Sequence, residues 1–281
     1  MALHIPTYTY SRRYTGSVQA CILDWAGTTI DHGSLAPTNV FKAAFAAFGV
    51  MITDVEARGP MGRGKLDHIR DLGTLPAIAE RWQAAQSRPF TEEDAVAVYE
   101  EFLPRQIKVA GEHAVLIDGV VEAVATLRAR GIRIGSTTGY TKAIMEAVVG
   151  PATEQGYIPD ALVCSDDVAA GRPAPYLIHK ALEQIDVWPC DAVVKVGDTV
   201  TDMEDALNAG CWGVGIIETG SEMGLSKAAL EALPSTERSK RHGAVSERLA
   251  KAGAHLLIDS IADLPAAVQE INRRLQRGER P

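Results

Sequence analysis

Short apolar segments alternate with helical patterns along most of this chain, and this alternation limits the folds that the chain can adopt. From residue 117 onward, the apolar segments lie at residues 132–137, 161–164, 193–196, 212–217 and 255–259. Around them lie segments with apolar residues at helical spacing, at residues 120–130, 141–149, 175–185, 202–210, 246–252 and 261–277. Regular alternation of strands and helices predicts a parallel sheet with helices on both faces.

A helical region interrupts this pattern after its first strand. The first strand is predicted at residues 18–24, and the helical patterns that follow it lie at residues 40–50, 65–72, 76–86 and 92–109. We therefore predict an α/β protein whose core, a Rossmann-like doubly wound parallel sheet, comprises residues 18–37 and 112–281. Residues 38–111 are expected to form an inserted α-helical cap domain. Residues 219–245 are charged and contain Gly and Ser, and we expect a loop with a short helix there.

The composition excludes several classes of protein. The 281 residues include 28 Lys and Arg against 36 Asp and Glu, and this net charge of −8 argues against nucleic acid as a partner. A hydrophobic fraction of 46% excludes long disorder. No apolar run approaches the roughly 20 residues of a membrane-spanning helix. The four cysteines, at positions 21, 164, 190 and 211, form no CxxC pair. We expect reduced thiols and a cytoplasmic protein.

The first 17 residues are polar and aromatic, and they lack the apolar stretch of a secretory signal. We expect residues 1–17 to form an N-terminal leader that is either poorly ordered or docked locally. The predicted core begins directly after this leader.

Polar side chains follow the predicted strands at their carboxyl ends, where open parallel sheets bind ligands. Asp24 follows the first strand, Thr138 the second and Arg172 the third, while Asp198 and Asp202 follow the fourth. The three carboxylates are the type of ligand that Mg²⁺ prefers. A hydroxyl and an arginine are suited to hold a phosphoryl group. A carboxylate that faces a bound phosphoryl group beside a metal ion is suited to aspartyl-phosphate chemistry.

In their order and spacing, these loops resemble the four motifs of the haloacid dehalogenase-like superfamily, over about residues 18–210. The resemblance implies a nucleophile at Asp24, a phosphate-binding hydroxyl and cation at Thr138 and Arg172, and metal-binding acids at Asp198 and Asp202. Most phosphatases of this superfamily have a second Asp two residues after the nucleophile, which protonates the leaving oxygen. Ala26 occupies that position here. The chain is therefore expected either to be inactive or to release a group that needs no proton on oxygen.

The inserted helical region carries a lysine that fits the second alternative. The segment GPMGRGKLDHIR places Lys65 and His68 three residues apart on one face of a predicted helix. A lysine amine forms an imine with an aldehyde, and a protonated imine accepts electrons. If the substrate is an aldehyde with phosphorus on its α-carbon, the imine takes up the electrons of the breaking P–C bond. No acid at position 26 is then required.

With this lysine, the chain resembles the phosphonoacetaldehyde hydrolase (phosphonatase) family through DWAGTT, PMGRGKLDHIR, GSTTGY, AGRPAPY and KVGDTVTDM. The resemblance implies a Mg²⁺-dependent homodimer, joined through its caps, that converts phosphonoacetaldehyde to acetaldehyde and phosphate. It implies that Asp24 is the nucleophile and that Lys65 forms the Schiff base. It further implies a metal ion held by Asp24, the Ala26 carbonyl and Asp198, with support from Asp202. The residues that it places around the substrate are Met61, Gly62, His68 and Tyr140. His68 is interpreted either as a proton shuttle or as a structural residue.

Two other functions remain open at this stage. One is a phosphatase or phosphomutase of the same superfamily that acts on a small phosphate ester, and the other is a binding protein that has lost catalysis. Ala26 argues against the first, and the presence of both Lys65 and Asp24 argues against the second. The aromatic residues Phe41, Phe45 and Phe48 are interpreted as cap core or dimer contacts.

Overall fold

The computed structural model describes residues 13–281, and a single parallel sheet forms the centre of this part of the chain. Its six strands are β1 (Ala20–Leu23), β2 (Arg133–Thr137), β3 (Ala161–Val163), β4 (Val193–Gly197), β5 (Trp212–Ile216) and β6 (Leu256–Ile258). They lie in the order β3-β2-β1-β4-β5-β6, and every neighbouring pair is parallel. The predicted α/β fold with a doubly wound parallel sheet is confirmed. The expected leader lies outside the described residues as far as residue 12.

Twelve α-helices surround the sheet within residues 13–281. They are α1 (Leu35–Ala47), α2 (Asp54–Arg58), α3 (Lys65–Thr74), α4 (Pro76–Gln86), α5 (Glu92–Glu112), α6 (Val120–Ala129), α7 (Lys142–Glu154), α8 (Tyr176–Gln184), α9 (Val200–Ala209), α10 (Lys227–Glu231), α11 (Ser235–Lys251) and α12 (Leu264–Gln276). The first six lie between β1 and β2 in the chain, and α1 to α5 form an all-helical region inserted after the first strand.

Both faces of the sheet are buried, as a doubly wound sheet requires. Side chains alternate between the two faces of a strand, and in β1 the residues Cys21 and Leu23 belong to one apolar cluster while Ala20 and Ile22 belong to another. The first cluster includes residues of α6 and α12, and the second includes residues of α8. The fully apolar sequence of β1 follows from this burial on both sides.

The inserted helices share one aromatic core with the sheet. Helix α1 packs along α5, and Phe45 and Trp82 meet edge to face at a ring-centroid distance of 6.3 Å. Helix α5 begins at a capping box in which the Thr91 backbone N–H donates to the Asp94 carboxylate, which satisfies an otherwise free donor at the helix start. These aromatic residues belong to the same cluster as Leu23 of β1, so the inserted helices pack directly against the core.

The prediction for residues 219–245 was wrong over residues 235–245. Helix α11 begins at Ser235 and runs through Lys251, whereas only residues 246–252 of it were expected to be helical. Only Val245 and Leu249 of this helix are buried. A helix with so few buried residues lacks the apolar repeat on which sequence prediction depends. The short helix α2 was missed for the same reason, because Ala57 is its single buried residue.

Among the described residues, no helix is both long and apolar enough to cross a membrane. The four cysteines are free thiols, and three of them are buried, whereas Cys190 is partly exposed.

Candidate active site

The carboxyl ends of the strands and the start of α3 enclose one small cavity. Its walls come from the loops after β1, β2, β3 and β4, from the start of α1 and from the turn before α3. They are formed by Asp24, Ala26, Ser34, Pro37, Met61, Gly62, Lys65, Thr138, Gly139, Tyr140, Arg172 and Thr199. Eight of the eleven residues predicted from the sequence are among them. The other three, His68, Asp198 and Asp202, are fully buried beside the cavity.

Arg172 joins Asp24 to a second group of acids. Its Nη2 lies 2.8 Å from Oδ1 of Asp24, its Nη1 lies 2.9 Å from Oδ1 of Asp202, and its Nε lies 3.4 Å from Oδ2 of Asp205. The same Nη2 donates to the Thr137 hydroxyl at 2.8 Å. Because all these groups are buried, the guanidinium holds the Asp24 carboxylate in one orientation.

A second buried cation completes this cluster. The Lys195 ammonium lies 2.8 Å from the Asp202 oxygen that also faces Arg172, and the Thr199 hydroxyl donates to the other Asp202 oxygen at 2.6 Å. Burial raises the pKa of Asp202, but Arg172 and Lys195 outweigh it and hold this pKa below its ordinary value. Both Asp202 oxygens are therefore already partnered within the protein.

Asp24 and Asp198 have the arrangement that a divalent cation requires. One carboxylate oxygen from each, together with one from Asp202, lies within 4.8 Å of the others. Asp198 accepts from the Thr28 hydroxyl at 3.0 Å and from the Ser221 backbone N–H at 2.7 Å, which fixes its direction. Burial, and next the charge of Asp24, raise the pKa of Asp198 to about 8. The buried oxygen set and its surplus of negative charge fit a hard cation.

Glycine is required beside this acid cluster. Gly27 has a φ of +87°, and a Cβ at this position would overlap the Asp198 carboxylate. The loop after β1 therefore approaches the Asp198 carboxylate closely at Gly27.

The Lys65 amine lies against two aromatic rings inside the cavity. Its Nζ is 5.0 Å from the ring centre of Tyr140 and 5.6 Å from that of Phe41. The side chain is buried, and burial lowers the pKa of Lys65 to about 8, with a further decrease from Arg172 and an opposing effect of Asp24. A sizeable fraction of this amine is therefore neutral near pH 8, as expected of a lysine that forms an imine.

His68 is a neutral, buried histidine behind the lysine. Its Nε2 lies 2.9 Å from the Ala57 carbonyl oxygen, and since a carbonyl only accepts, Nε2 carries the proton. Its ring stacks on Phe41 with centroids 3.8 Å apart. Burial, and next the charge of Lys65, lower the pKa of His68 well below its ordinary value. Its Nδ1 has no hydrogen-bond partner among residues 13–281.

The turn before α3 closes the cavity against the core. The Thr201 hydroxyl donates to the Met61 carbonyl at 3.0 Å, and the Arg172 Nη1 donates to the Gly62 carbonyl at 3.4 Å. Gly62 has a φ of +90°, and a Cβ here would overlap the Thr199 hydroxyl. This contact explains why a glycine precedes Lys65 by three residues.

Sequence reasoning missed several residues of this site. Lys195 and Asp205 support Arg172 and Asp202, and Ser34 and Thr199 line the cavity. A charged residue inside the apolar strand sequence VVKVG was a usable signal for Lys195, and the TVTD capping box was one for Thr199. Phe41 was interpreted as cap core or dimer contact, but it also contacts the Lys65 nitrogen.

Comparisons with known proteins agree with this geometry. Residues 18–210 match the sequence model of the haloacid dehalogenase-like hydrolases. Phosphonoacetaldehyde hydrolase of Syntrophobacter fumaroxidans is 43% identical over 274 residues, which are 98% of this chain and 99% of the relative. The enzyme of the same name from Paraburkholderia phytofirmans is 45% identical over 264 residues, 94% of this chain and 99% of the relative.

A solved structure extends the likeness to three dimensions. The crystal structure of a phosphonoacetaldehyde hydrolase-like protein from Oleispira antarctica has a TM-score of 0.95 and 39% identity, and the likeness covers 98% of this chain and all of that one. Sequence and structure agree over nearly the whole length. The chain is a hydrolase and belongs to the phosphonoacetaldehyde hydrolase family within the haloacid dehalogenase-like hydrolases.

Proposed function

We propose that this protein hydrolyses the P–C bond of phosphonoacetaldehyde and releases acetaldehyde and phosphate. The observation that carries the proposal is the pairing of a buried amine, Lys65, with a buried carboxylate, Asp24, across one cavity that has Ala26 in place of a second acid. The names of the relatives support the choice of substrate.

The first chemical step uses the neutral form of Lys65. Its amine adds to the aldehyde carbon, water leaves, and the resulting imine carries a proton on nitrogen. The rings of Tyr140 and Phe41 stabilise this cation through their π faces. His68 accepts and returns a proton at Nδ1 during formation of the imine, which is the role that its tautomer permits.

Asp24 then attacks phosphorus. A new O–P bond forms on its carboxylate, the P–C bond breaks, and the electron pair of that bond moves through carbon to the imine nitrogen, giving a neutral enamine. Protonation at carbon restores the imine, and water releases acetaldehyde and Lys65. Water also hydrolyses the aspartyl phosphate.

Arg172 orients Asp24 during this attack. The Thr138 hydroxyl accepts from the Tyr140 backbone N–H at 3.0 Å and remains able to donate to phosphate.

We also propose a Mg²⁺ ion held by the Asp24 and Asp198 carboxylates and the Ala26 carbonyl. Asp202 does not hold the ion directly but supports the site through its ion pairs with Arg172 and Lys195. Such an ion, when bound, offsets the repulsion between the carboxylate of Asp24 and the anionic phosphonate. The close approach of the loop at Gly27 to Asp198 supports this choice of ligands.

A product assay tests the proposed function. With phosphonoacetaldehyde and Mg²⁺, we expect acetaldehyde and phosphate in equal amounts, and no appreciable phosphate from p-nitrophenyl phosphate or a hexose phosphate. The reverse pattern would favour a phosphatase or phosphomutase, and turnover of none of these compounds would favour a binding protein.

For the assembly, we propose a cytoplasmic homodimer joined through a cap of residues 38–111. Met51 and Val55 in this region are exposed apolar residues, and they support an interface there. The molar mass in solution tests this proposal: Met51→Glu should lower it from that of two chains to that of one, and a monomeric native protein would contradict it.

A further inference from the structure

Gln106 is a buried polar residue that the proposed mechanism does not use. It lies on α5 in the inserted helical region and is inaccessible to solvent. Its Nε2 donates to the Tyr140 hydroxyl at 3.2 Å, whereas its Oε1 has no hydrogen-bond partner within residues 13–281. A buried acceptor without a partner destabilises a fold, and an apolar residue of similar size avoids that penalty. The side chain therefore has a use other than stability.

The partner of this amide lies directly against the reactive nitrogen. Lys65 Nζ lies 5.0 Å from the ring centre of Tyr140, and Phe41 faces the same nitrogen at 5.6 Å. This inference rests on the proposed function, in which the Lys65 nitrogen becomes a protonated imine. No ion pair or hydrogen bond of Lys65 is among the contacts within residues 13–281, and both ring centres lie within about 6 Å of its nitrogen.

We propose that Gln106 is a positioning residue, whose hydrogen bond fixes the Tyr140 ring against the Lys65 nitrogen and thereby stabilises the protonated imine. The bond joins helix α5 of the inserted region to the loop after β2, so it also holds this ring in the closed arrangement of the site. Gln106 acts only through Tyr140 and does not contact the reacting atoms.

The test uses Gln106→Leu, with borohydride trapping of the Lys65 adduct and turnover of phosphonoacetaldehyde as its measurements. We expect kcat and the rate of trapping to fall about three- to tenfold, within the strength of one cation–π contact, while KM changes less than twofold. The denaturation midpoint should change little, because removal of the unpartnered Oε1 offsets the loss of the hydrogen bond to the Tyr140 hydroxyl. A purely structural residue would lower the midpoint and leave kcat unchanged.

Gln155→Leu is the matched control. The Gln155 amide bonds three backbone groups, donating to the Ala114 and Pro151 carbonyls and accepting from the Leu116 N–H, and it lies outside the active site. This variant should lower the denaturation midpoint and keep kcat within twofold of the native value. An effect on kcat like that of Gln106→Leu would overturn the inference.

A double-mutant cycle isolates the route through the tyrosine. Tyr140→Phe removes the hydroxyl but keeps the ring, and we expect a decrease similar to that of Gln106→Leu. Adding Gln106→Leu to Tyr140→Phe should cause no further decrease in kcat.

The inference would be overturned if the two substitutions lowered kcat independently, so that their effects multiplied in the double variant. A native kcat in either single variant would also overturn it. If Gln106→Leu does not fold, Tyr140→Phe alone decides. If the native protein gives no adduct at Lys65, the proposed function fails instead.

Discussion

The Arg172 guanidinium lies 2.8 Å from the Asp24 carboxylate, and both side chains are buried. The other nitrogens of the same guanidinium face Asp202 and Asp205. Arg172 therefore fixes the Asp24 carboxylate relative to the rest of the site. Removal of one partner from a buried ion pair of this kind strongly destabilises the protein, because the remaining charge is left without compensation.

Arg172→Lys should nearly abolish turnover although it keeps the positive charge. One ammonium cannot face three carboxylates as the planar guanidinium does, so Asp24 loses its fixed orientation. We expect kcat/KM to fall about 100-fold or more, measured as acetaldehyde release. Arg241→Lys is the control, since Arg241 makes an exposed pair with Glu237. Comparable activity of both variants would show that charge alone suffices.

Lys65→Met should stabilise the fold, and the gain should depend on pH. The pKa of Lys65 is about 8 in the folded chain and 10.5 when unperturbed, so folding the protonated lysine costs free energy below pH 8. Between about pH 8 and 10.5 the unfolded chain binds the extra proton, and native stability rises. The variant's advantage should therefore be largest below pH 8, roughly 3 kcal/mol at most, and shrink by pH 10.

Denaturant unfolding with a chelator present at pH 7 and pH 10 measures this difference. Lys240→Met is the control because Lys240 is exposed, and its effect should be the same at both pH values. A Lys65→Met variant that is less stable than the native chain at pH 7 would contradict the burial argument.

Removal of divalent metal should stop turnover, and Mg²⁺ should restore it. The clustered oxygens of Asp24 and Asp198 also predict that Mg²⁺ raises the melting temperature of the native protein. Asp198→Asn should lose most of this rise, whereas Asp118→Asn, at an exposed carboxylate, should keep it. Undiminished acetaldehyde production in EDTA would rule out the proposed metal site.

Gly62→Ala should disrupt the closed arrangement of the cavity. A Cβ at this position would overlap the Thr199 hydroxyl, and the φ of +90° disfavours any L side chain. Since Lys65 lies three residues further on, we expect kcat/KM to fall about 100-fold. Gly150→Ala is the control, because nothing lies within 4 Å of a Cβ there and Gly150 is inside helix α7. Native kinetics in Gly62→Ala would show that this contact is dispensable.

The sequence predicted the fold and the groups at the strand ends because both follow from local patterns. Parallel strands end at one edge of the sheet, so Asp24 and Asp198 were expected to meet, and the structure brings them together. The position of Lys65 opposite them could not be derived from periodicity, and its prediction depended on the missing acid at Ala26 and on family resemblance.

The residues that were missed depend on three-dimensional partners. Asp205 acts through Arg172, which lies 33 positions earlier in the chain, and Gln106 acts through Tyr140. The apolar spacing of Phe41 is that of any core residue, and nothing in it indicates a nearby amine. Helix α11 was shortened in the prediction because its exposed, charged sequence lacks an apolar repeat.

The most direct test of the lysine imine is borohydride reduction during turnover, followed by mapping of the modified residue by mass spectrometry. We expect an ethyl group on Lys65 in the native protein, and a phosphonoethyl group on the same residue in Asp24→Ala, where the P–C bond stays intact. Lys65→Arg should release no acetaldehyde and carry no adduct. Full production of acetaldehyde with Lys65 unmodified after reduction would contradict the account.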